Sequence, residues 1–347
     1  MNSWRDERRY LNANRHALAR QADLLYPTLP RVGSTRLLTR RTWALPEPLD
    51  LRDVVLRWTD EQPQTTLPPG TDTYAEAMAA HDRPKLFENR PCYRLLDVSW
   101  PALTFTSGMY FDAVNVGEAA AHEFAAAALR REAESRGASP SSGHAAFAPE
   151  LPFRALVTDP TDLRARPAHP AISMLTLRHD SETGETTFVL HWRDPSKVAH
   201  GGGLFQVMPV GVFQPATGDD FDLWKCVVRE YAEEFLGRSE HYDPSFDYDK
   251  WPFYRSLAEV RPLVLGIGVD PLTFATDILA VTVFEATLFD ALFGTMTGDN
   301  DEGHATVGVP FDEESVRRYV TREPMQAAGA AVLELAWRHL RGVIAVS

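Results

Sequence analysis

Alternating and continuous apolar segments dominate the second half of the chain and predict its secondary structure. Residues 171–179 and 186–192 alternate or run apolar, and Gly184 lies between them, which predicts a β-hairpin. The other elements predicted in this half are a strand at 204–214, a helix at 219–237, strands at 257–269 and 278–285, an acidic loop at 297–304, and helices at 316–319 and 325–343. Strands interleaved with helices in this way predict the α/β (α+β) class.

The first half of the chain has a weaker pattern. The elements predicted there are helices at 5–25, 74–82 and 117–136, and strands at 93–98 and 103–114. Residues 159–170 are rich in proline, arginine and aspartate, and this shift in composition indicates a domain boundary. We therefore expect a smaller N-terminal α/β region of unknown role at residues 1–165 and a second domain at residues 166–347.

Composition and charge exclude several classes of protein. Of the 347 residues, 44% are hydrophobic and 24% are charged, so the chain can bury a substantial core. The net charge of −13 argues against a general binder of nucleic acid or of membrane surfaces, which needs lysine and arginine to meet phosphates. A nucleotide remains compatible with this charge, because a divalent metal can bridge carboxylates to phosphate.

The cysteine content and the hydropathy of the chain predict a cytoplasmic protein. Cys92 and Cys226 are too few for a disulfide framework. The first residues lack the apolar run of a secretion signal, and no segment is apolar over the length of a membrane span. The arginine-rich residues 1–41 are compatible with a helix that packs on the domain behind it, or with an arm that meets an acidic partner or nucleic acid. Formation of a homodimer is left open.

The helix predicted in the second half carries the candidate chemistry. Asp219 or Asp220 is positioned to cap its N-terminus. Its aromatic and aliphatic residues share one face, whereas Glu230, Glu233 and Glu234 share the other. Three carboxylates within one helical turn repel one another, so the trio is stable in bulk water or around a cation. Hard divalent cations such as Mg²⁺ take oxygen ligands of this kind.

This helix resembles the Nudix box, whose core reads Arg-Glu-any-any-Glu-Glu. The corresponding residues here are Arg229-Glu230-Tyr231-Ala232-Glu233-Glu234. The family also has a strand that ends in a Pro-Gly-Gly loop upstream of the helix, and Pro209-Val210-Gly211 is similar to it. A motif of this length also occurs by chance, so its structural setting after a strand and on an amphipathic helix matters.

The resemblance implies a fold, a metal site and a reaction. The implied fold is a C-terminal Nudix-like α/β/α sandwich with a mixed sheet. Glu230, Glu233 and Glu234 would bind Mg²⁺ or Mn²⁺, and Gly211 would add its backbone carbonyl. Glu233, Glu234 and Arg229 would be the catalytic residues, with Arg229 orienting a ligand carboxylate. The reaction would be attack of water on a phosphorus atom of a nucleoside diphosphate-linked compound, so a nucleotide-type small molecule is the expected partner.

Three positions of the full Nudix box differ in this chain, since its closing glycine, Gly237, also comes one residue late. The glycine and the upstream glutamate of the box fall on Pro215 and Phe221. In the family this glutamate pairs with the arginine of the box. The resemblance therefore leaves Asp220 or Asp222 as the replacement partner of Arg229.

Other residues are candidates for a general base outside the helix. They are Glu285, Asp299, Asp301, Glu302 and His304. For each of them, a solvated position without a catalytic role is the alternative interpretation. Cys226 lies one turn before Glu230 and is too soft a ligand for Mg²⁺, so we expect it to be a small buried residue.

The altered box and the large first half also favour a second hypothesis. In it, the chain is a catalytically weak or inactive Nudix-like protein that senses a nucleotide and acts in regulation or interaction. A third hypothesis is an interaction scaffold with an incidental acidic helix. Segments 87–94 and 110–115 mix aromatic, arginine and asparagine residues, which is typical of a base-stacking surface or of ordinary strand ends and turns.

Overall fold

The computed structural model describes residues 3–64, 73–84, 87–137, 150–193, 203–217, 220–238, 245–294 and 303–344. The helices are α1 (Ser3–Asp23), α2 (Tyr74–His81), α3 (Tyr110–Gly137), α4 (Leu223–Glu234), α5 (Pro252–Ser256), α6 (Ala286–Phe293), α7 (Glu313–Thr321) and α8 (Ala327–Ile344). The strands are β1 (Leu49–Asp50), β2 (Val55–Trp58), β3 (Pro91–Ser99), β4 (Ala102–Met109), β5 (Pro170–His179), β6 (Thr186–Arg193), β7 (Leu204–Val207), β8 (Val210–Val212), β9 (Arg261–Val269), β10 (Thr276–Glu285) and β11 (Gly303–Pro310).

Within these residues, eight strands form one mixed sheet in the order β1-β9-β10-β5-β6-β11, with β7 beside β6 and β8 beside β5. β5 and β10 are parallel, and the remaining pairs are antiparallel. The predicted β5/β6 hairpin is confirmed. The single strand predicted at 204–214 is instead the two strands β7 and β8, which separate at Met208 and Pro209 because each pairs with a different neighbour.

Helices cover both faces of the large sheet, so the predicted α/β class with a mixed sheet is confirmed. Along β5, Ile172 and Met174 lie in the core that includes α4, whereas Leu175 and Leu177 lie in the core that includes α8. This assignment follows from the period of two in a strand, which points successive side chains to opposite faces. The predicted acidic loop at 297–304 lies mostly outside the described residues, and its last two residues belong to β11, which was not predicted.

The first half of the chain contributes to the large sheet as well as to its own. β2, β4 and β3 form a three-stranded sheet. β1 pairs with the edge of β9, and Trp43 and Leu51 lie in the same core cluster as Ile172. The strand predicted at 103–114 is wrong beyond Met109, where α3 begins. The Asp112 carboxylate accepts a hydrogen bond from the Met109 N–H at 2.9 Å and so favours the helix start.

The arginine-rich N-terminal segment forms α1, which packs against α3. Leu11 and Leu18 are buried in one cluster with Phe124 of α3. Arg15 is buried and donates to the Glu118 carboxylate at 2.9 Å. These contacts agree with a packing helix. No helix in the described part of the chain combines the length and the apolar character needed to cross a lipid bilayer.

Candidate functional site

Local sequence determines where α4 begins and ends. Asp222 caps the N-terminus, and its carboxylate accepts a hydrogen bond from the Lys225 N–H at 2.9 Å. Gly237 follows the C-terminus with a φ of 62°, a left-handed conformation that glycine adopts without strain. The prediction of Asp220 as the cap is wrong, because its carboxylate is engaged elsewhere. Asp219, the other predicted cap, lies outside the described residues.

The apolar face of α4 is fixed against β5 and β10. Tyr231 is fully buried, and its hydroxyl lies 2.8 Å from the hydroxyl oxygen of Thr176 on β5. Its ring packs against Phe284 and Phe293, each with ring centroids 5.6 Å apart. Since this residue cannot turn away from the sheet, the glutamate-bearing face of α4 is held in a defined direction.

The Glu230 side chain lies directly against the backbone of β8. A Cβ atom added to Gly211 would be 2.0 Å from the Glu230 carboxyl carbon, well inside van der Waals contact. Any other residue at this position would displace the carboxylate. Gly211 and Glu230, which the sequence analysis assigned to one metal site, are thus neighbours in the fold.

Glu234 is held by the same strand. Its Oε1 atom accepts a hydrogen bond from the backbone N–H of Val210 at 2.9 Å. Val210 pairs with Ser173 of β5, so the donor belongs to the central sheet. Two of the three predicted glutamates are therefore positioned by β8, and all three side chains are half-buried.

Arg229 of α4 and Asp220, which precedes this helix, form a buried ion pair. The guanidinium of Arg229 donates to Oδ2 of Asp220 at 3.0 Å, and the two residues are 8% and 2% exposed. Oδ2 of Asp220 also accepts from the backbone N–H groups of Ala216 and Thr217, at 2.6 and 2.7 Å. Of the two candidate partners for Arg229, the structure therefore has Asp220.

Further groups that the sequence analysis missed complete this network. Arg229 also donates to the Tyr248 hydroxyl at 3.0 Å and to the Gln214 carbonyl at 3.2 Å. The Tyr93 hydroxyl of β3 donates to Oδ1 of Asp220 at 3.0 Å. Burial first, and then the neighbouring Asp220 carboxylate, raise the pKa of Tyr93, so this hydroxyl keeps its proton. The aromatic residues of segment 87–94 mark it as a candidate surface, but no local signal in the sequence pairs Tyr93 with Asp220.

Several predicted general bases are not brought to the glutamate face. Glu285 pairs with His179, whereas Gly211 pairs with Ile172, so seven residues of β5, or about 23 Å, separate the two positions. Glu285 instead accepts a hydrogen bond from the Ser181 N–H at 3.3 Å. His304 lies on β11, paired with Trp192. The remaining candidates, Asp299, Asp301 and Glu302, lie outside the described residues.

The chemical type of the candidate ligands agrees with metal binding, whereas the arrangement of the side chains does not. Carboxylate and carbonyl oxygens are the ligands that Mg²⁺ and Mn²⁺ prefer. Across the part of the chain that the structure describes, however, no three acidic, histidine or cysteine side chains are grouped closely enough to hold a metal ion. Cys226 is buried as expected, and burial raises its pKa to about 12, so the thiol is not a metal-binding thiolate.

Comparison of the whole sequence with known proteins gave no match, either to a protein-family model or to a curated protein. The family resemblance therefore depends on the sequence motifs alone.

Proposed function

We propose that the chain is a Nudix-like, divalent-metal-dependent hydrolase of a nucleoside diphosphate-linked compound. One observation carries the proposal: the acidic face of α4 lies along β8, with Glu230 packed on Gly211 and Glu234 bonded to the Val210 N–H. The motif that suggested the function is thus part of one compact arrangement between a strand and a helix.

The residues that would hold Mg²⁺ or Mn²⁺ are Glu230, Glu233, Glu234 and the carbonyl of Gly211. A bound ion would polarise the phosphoryl oxygens and lower the pKa of a bound water. Because the described carboxylates are not grouped as three metal ligands, binding requires side-chain rotation on the helix face. Glutamate side chains can make such a change without moving the backbone, which Tyr231 anchors.

Arg229 would act by holding neighbouring parts of the chain in place. Its guanidinium joins α4 to the preceding loop through Asp220 and the Gln214 carbonyl. This network ties Gln214 and Asp220, on either side of the residues outside the described part of the chain, to α4. The roles of the glutamates as ligands, and of water as the nucleophile, belong to the proposal.

The test is a screen of nucleoside diphosphate derivatives with Mg²⁺ and with Mn²⁺, in which turnover and the shift in melting temperature are both measured. We expect metal-dependent release of a phosphomonoester by the parent and its loss in Glu233→Gln/Glu234→Gln. Glutamine can still accept the Val210 N–H, so the fold should survive this change. A matched control is Glu313→Gln/Glu314→Gln, which alters two adjacent exposed glutamates on α7.

The two readings of the screen separate the hypotheses. Turnover that persists in the Glu233/Glu234 variant would contradict the proposed site. Nucleotide-induced stabilisation of the parent without turnover would instead favour the nucleotide-sensing protein. Absence of both turnover and nucleotide-induced stabilisation would contradict both nucleotide hypotheses.

A further inference from the structure

An aromatic cluster joins the N-terminal sheet to the loop before α4. Its members are Trp58 of β2, Tyr93 of β3, Phe105 of β4, Phe213 and Phe221. The ring centroids of Tyr93 and Phe213 are 4.6 Å apart, and those of Tyr93 and Phe221 are 4.9 Å apart. Most of these rings are buried or partly buried and fill the junction between the two sheets.

Trp58 differs from the rest of the cluster because it is 49% exposed. Its ring meets Tyr93 and Phe221 at nearly right angles, with centroids 6.3 and 5.7 Å away. Its indole N–H donates to the Asp60 carboxylate at 3.2 Å. Edge-to-face packing and this hydrogen bond hold the indole in one orientation while about half of its surface stays in contact with solvent.

The exposed indole is linked to the candidate site by short contacts. Tyr93, which packs on Trp58, donates its hydroxyl to Asp220, and Asp220 holds Arg229. Glu230 lies eight residues beyond the N-cap Asp222, or about 12 Å along the helix axis. Trp58, through Tyr93 and Asp220, is therefore connected to the helix that carries the three glutamates.

We infer that Trp58 is a stacking platform for the planar base of a nucleotide. The orientation of the nucleotide, with its phosphates towards the acidic face of α4, rests on the proposed function, but the stacking does not. A flat, uncharged ring suits this surface, because the neighbouring Asp60 and the net charge of −13 disfavour an anionic group at the indole. Aromatic stacking accepts every base, since each has a π face.

The experiment measures stacking in the full-length protein without metal. The probe is 2-aminopurine riboside in the presence of EDTA; its emission is quenched when its base stacks. We expect Trp58→Leu to weaken binding roughly 5- to 100-fold, because it removes the aromatic face and keeps bulk. Trp58→Phe should retain most of the affinity. Trp337→Phe is the control, since Trp337 is a residue of α8 that packs on Phe311, on the opposite face of the large sheet.

The outcomes are distinguishable from those of the hydrolase test. Equal binding by Trp58→Leu and the parent, or no quenching by the parent, would overturn the inference. Failure of metal-dependent turnover would not affect it, because neither phosphate nor metal enters the measurement. A second measurement uses only aromatic substitutions. Adenosine should quench the tryptophan emission of the parent and of Trp337→Phe more than that of Trp58→Phe. Equal quenching of all three proteins would contradict the stacking role of Trp58.

Discussion

At the scale of single residues, the candidate site depends on the close approach of Glu230 to Gly211 and on the buried ion pair of Asp220 and Arg229. Gly211 leaves the space that the Glu230 carboxylate fills. Asp220 accepts hydrogen bonds from Arg229, from Tyr93 and from two backbone N–H groups, so its charge is compensated although it is only 2% exposed. A buried carboxylate without such partners would cost several kcal/mol. The described residues before α4 are therefore held by polar contacts as well as by packing.

Replacement of Gly211 by alanine should disturb the site more than the fold. The new Cβ would lie 2.0 Å from the Glu230 carboxyl carbon, and the flexible end of that side chain must move away. We expect a modest fall in melting temperature together with the loss of metal-dependent turnover or metal-induced stabilisation. Thermal melting and the nucleotide screen measure the two effects.

A second substitution tests the stated cause. Glu230→Ala removes the atoms that clash, so Gly211→Ala/Glu230→Ala should melt at a higher temperature than Gly211→Ala alone. If the double variant melts lower, with the two losses simply adding, the clash with Glu230 is not what destabilises Gly211→Ala.

At the scale of elements, the parallel pair β5 and β10 forms the centre of the large sheet and contains a buried carboxyl group. Asp277 of β10 is 7% exposed and accepts a hydrogen bond from the Ser173 hydroxyl of β5 at 2.8 Å. Burial raises the pKa of Asp277 to about 7, although the Ser173 hydrogen bond acts in the opposite direction. The fold therefore favours the protonated carboxyl group.

Asp277 should make the free energy of unfolding depend on pH. In the unfolded chain this group ionises near its ordinary pKa of 3.8, whereas in the folded chain it ionises near pH 7. Its favourable contribution is complete below pH 3.8 and is lost as the pH rises to about 7, at no more than about 1.4 kcal/mol per pH unit. Asp277→Asn should remove this part of the pH dependence and should be more stable than the parent at pH 8.

Urea unfolding of both proteins between pH 4 and pH 8 measures the difference. Glu313→Gln, at an exposed helix position, serves as the control and should leave the pH profile of the parent unchanged. Parallel profiles for the parent and Asp277→Asn would show that Asp277 ionises alike in the folded and unfolded chains.

At the scale of the whole molecule, the two regions expected on either side of residue 165 share structure. Leu38 exchanges two backbone hydrogen bonds with Val269, at 2.9 and 2.8 Å, and β1 continues the large sheet beyond β9. Trp43 and Phe105 belong to the same buried cluster as Val264 and Ile278. The N-terminal region thus covers apolar surface that belongs to the C-terminal sheet.

This sharing leads to a prediction about fragments. Residues 166–347 alone would expose the apolar residues that Trp43 and Phe105 cover and would leave the β9 edge unpaired. We expect this fragment to lack a cooperative melting transition, as measured by circular dichroism, and we expect co-expression with residues 1–165 to restore it. A cooperative transition of the isolated fragment within a few degrees of the full chain would show that the N-terminal region is dispensable for folding.

The sequence by itself determined the features that depend on near neighbours along the chain. The β5/β6 hairpin follows from apolar strands around a glycine-containing turn, and the acidic face of α4 follows from helical spacing. The predicted bounds of this helix were too wide by several residues at its start, because Asp219, Asp220 and Asp222 are all chemically suited to cap it. The tertiary contacts of Asp220 engage its carboxylate elsewhere, and Asp222 caps the helix.

The tertiary structure decided which distant residues meet. Tyr93 and Asp220 are 127 positions apart, and no periodic pattern encodes their hydrogen bond. The split of β7 from β8 depends on two different partner strands, and the edge position of β1 depends on β9. Such pairings are set by the packing of whole elements, in which burial and hydrogen bonding across the sheet outweigh local preference. Local sequence therefore specified the glutamate-bearing helix, and the assembled sheets placed Gly211, Asp220 and the Trp58 cluster around it.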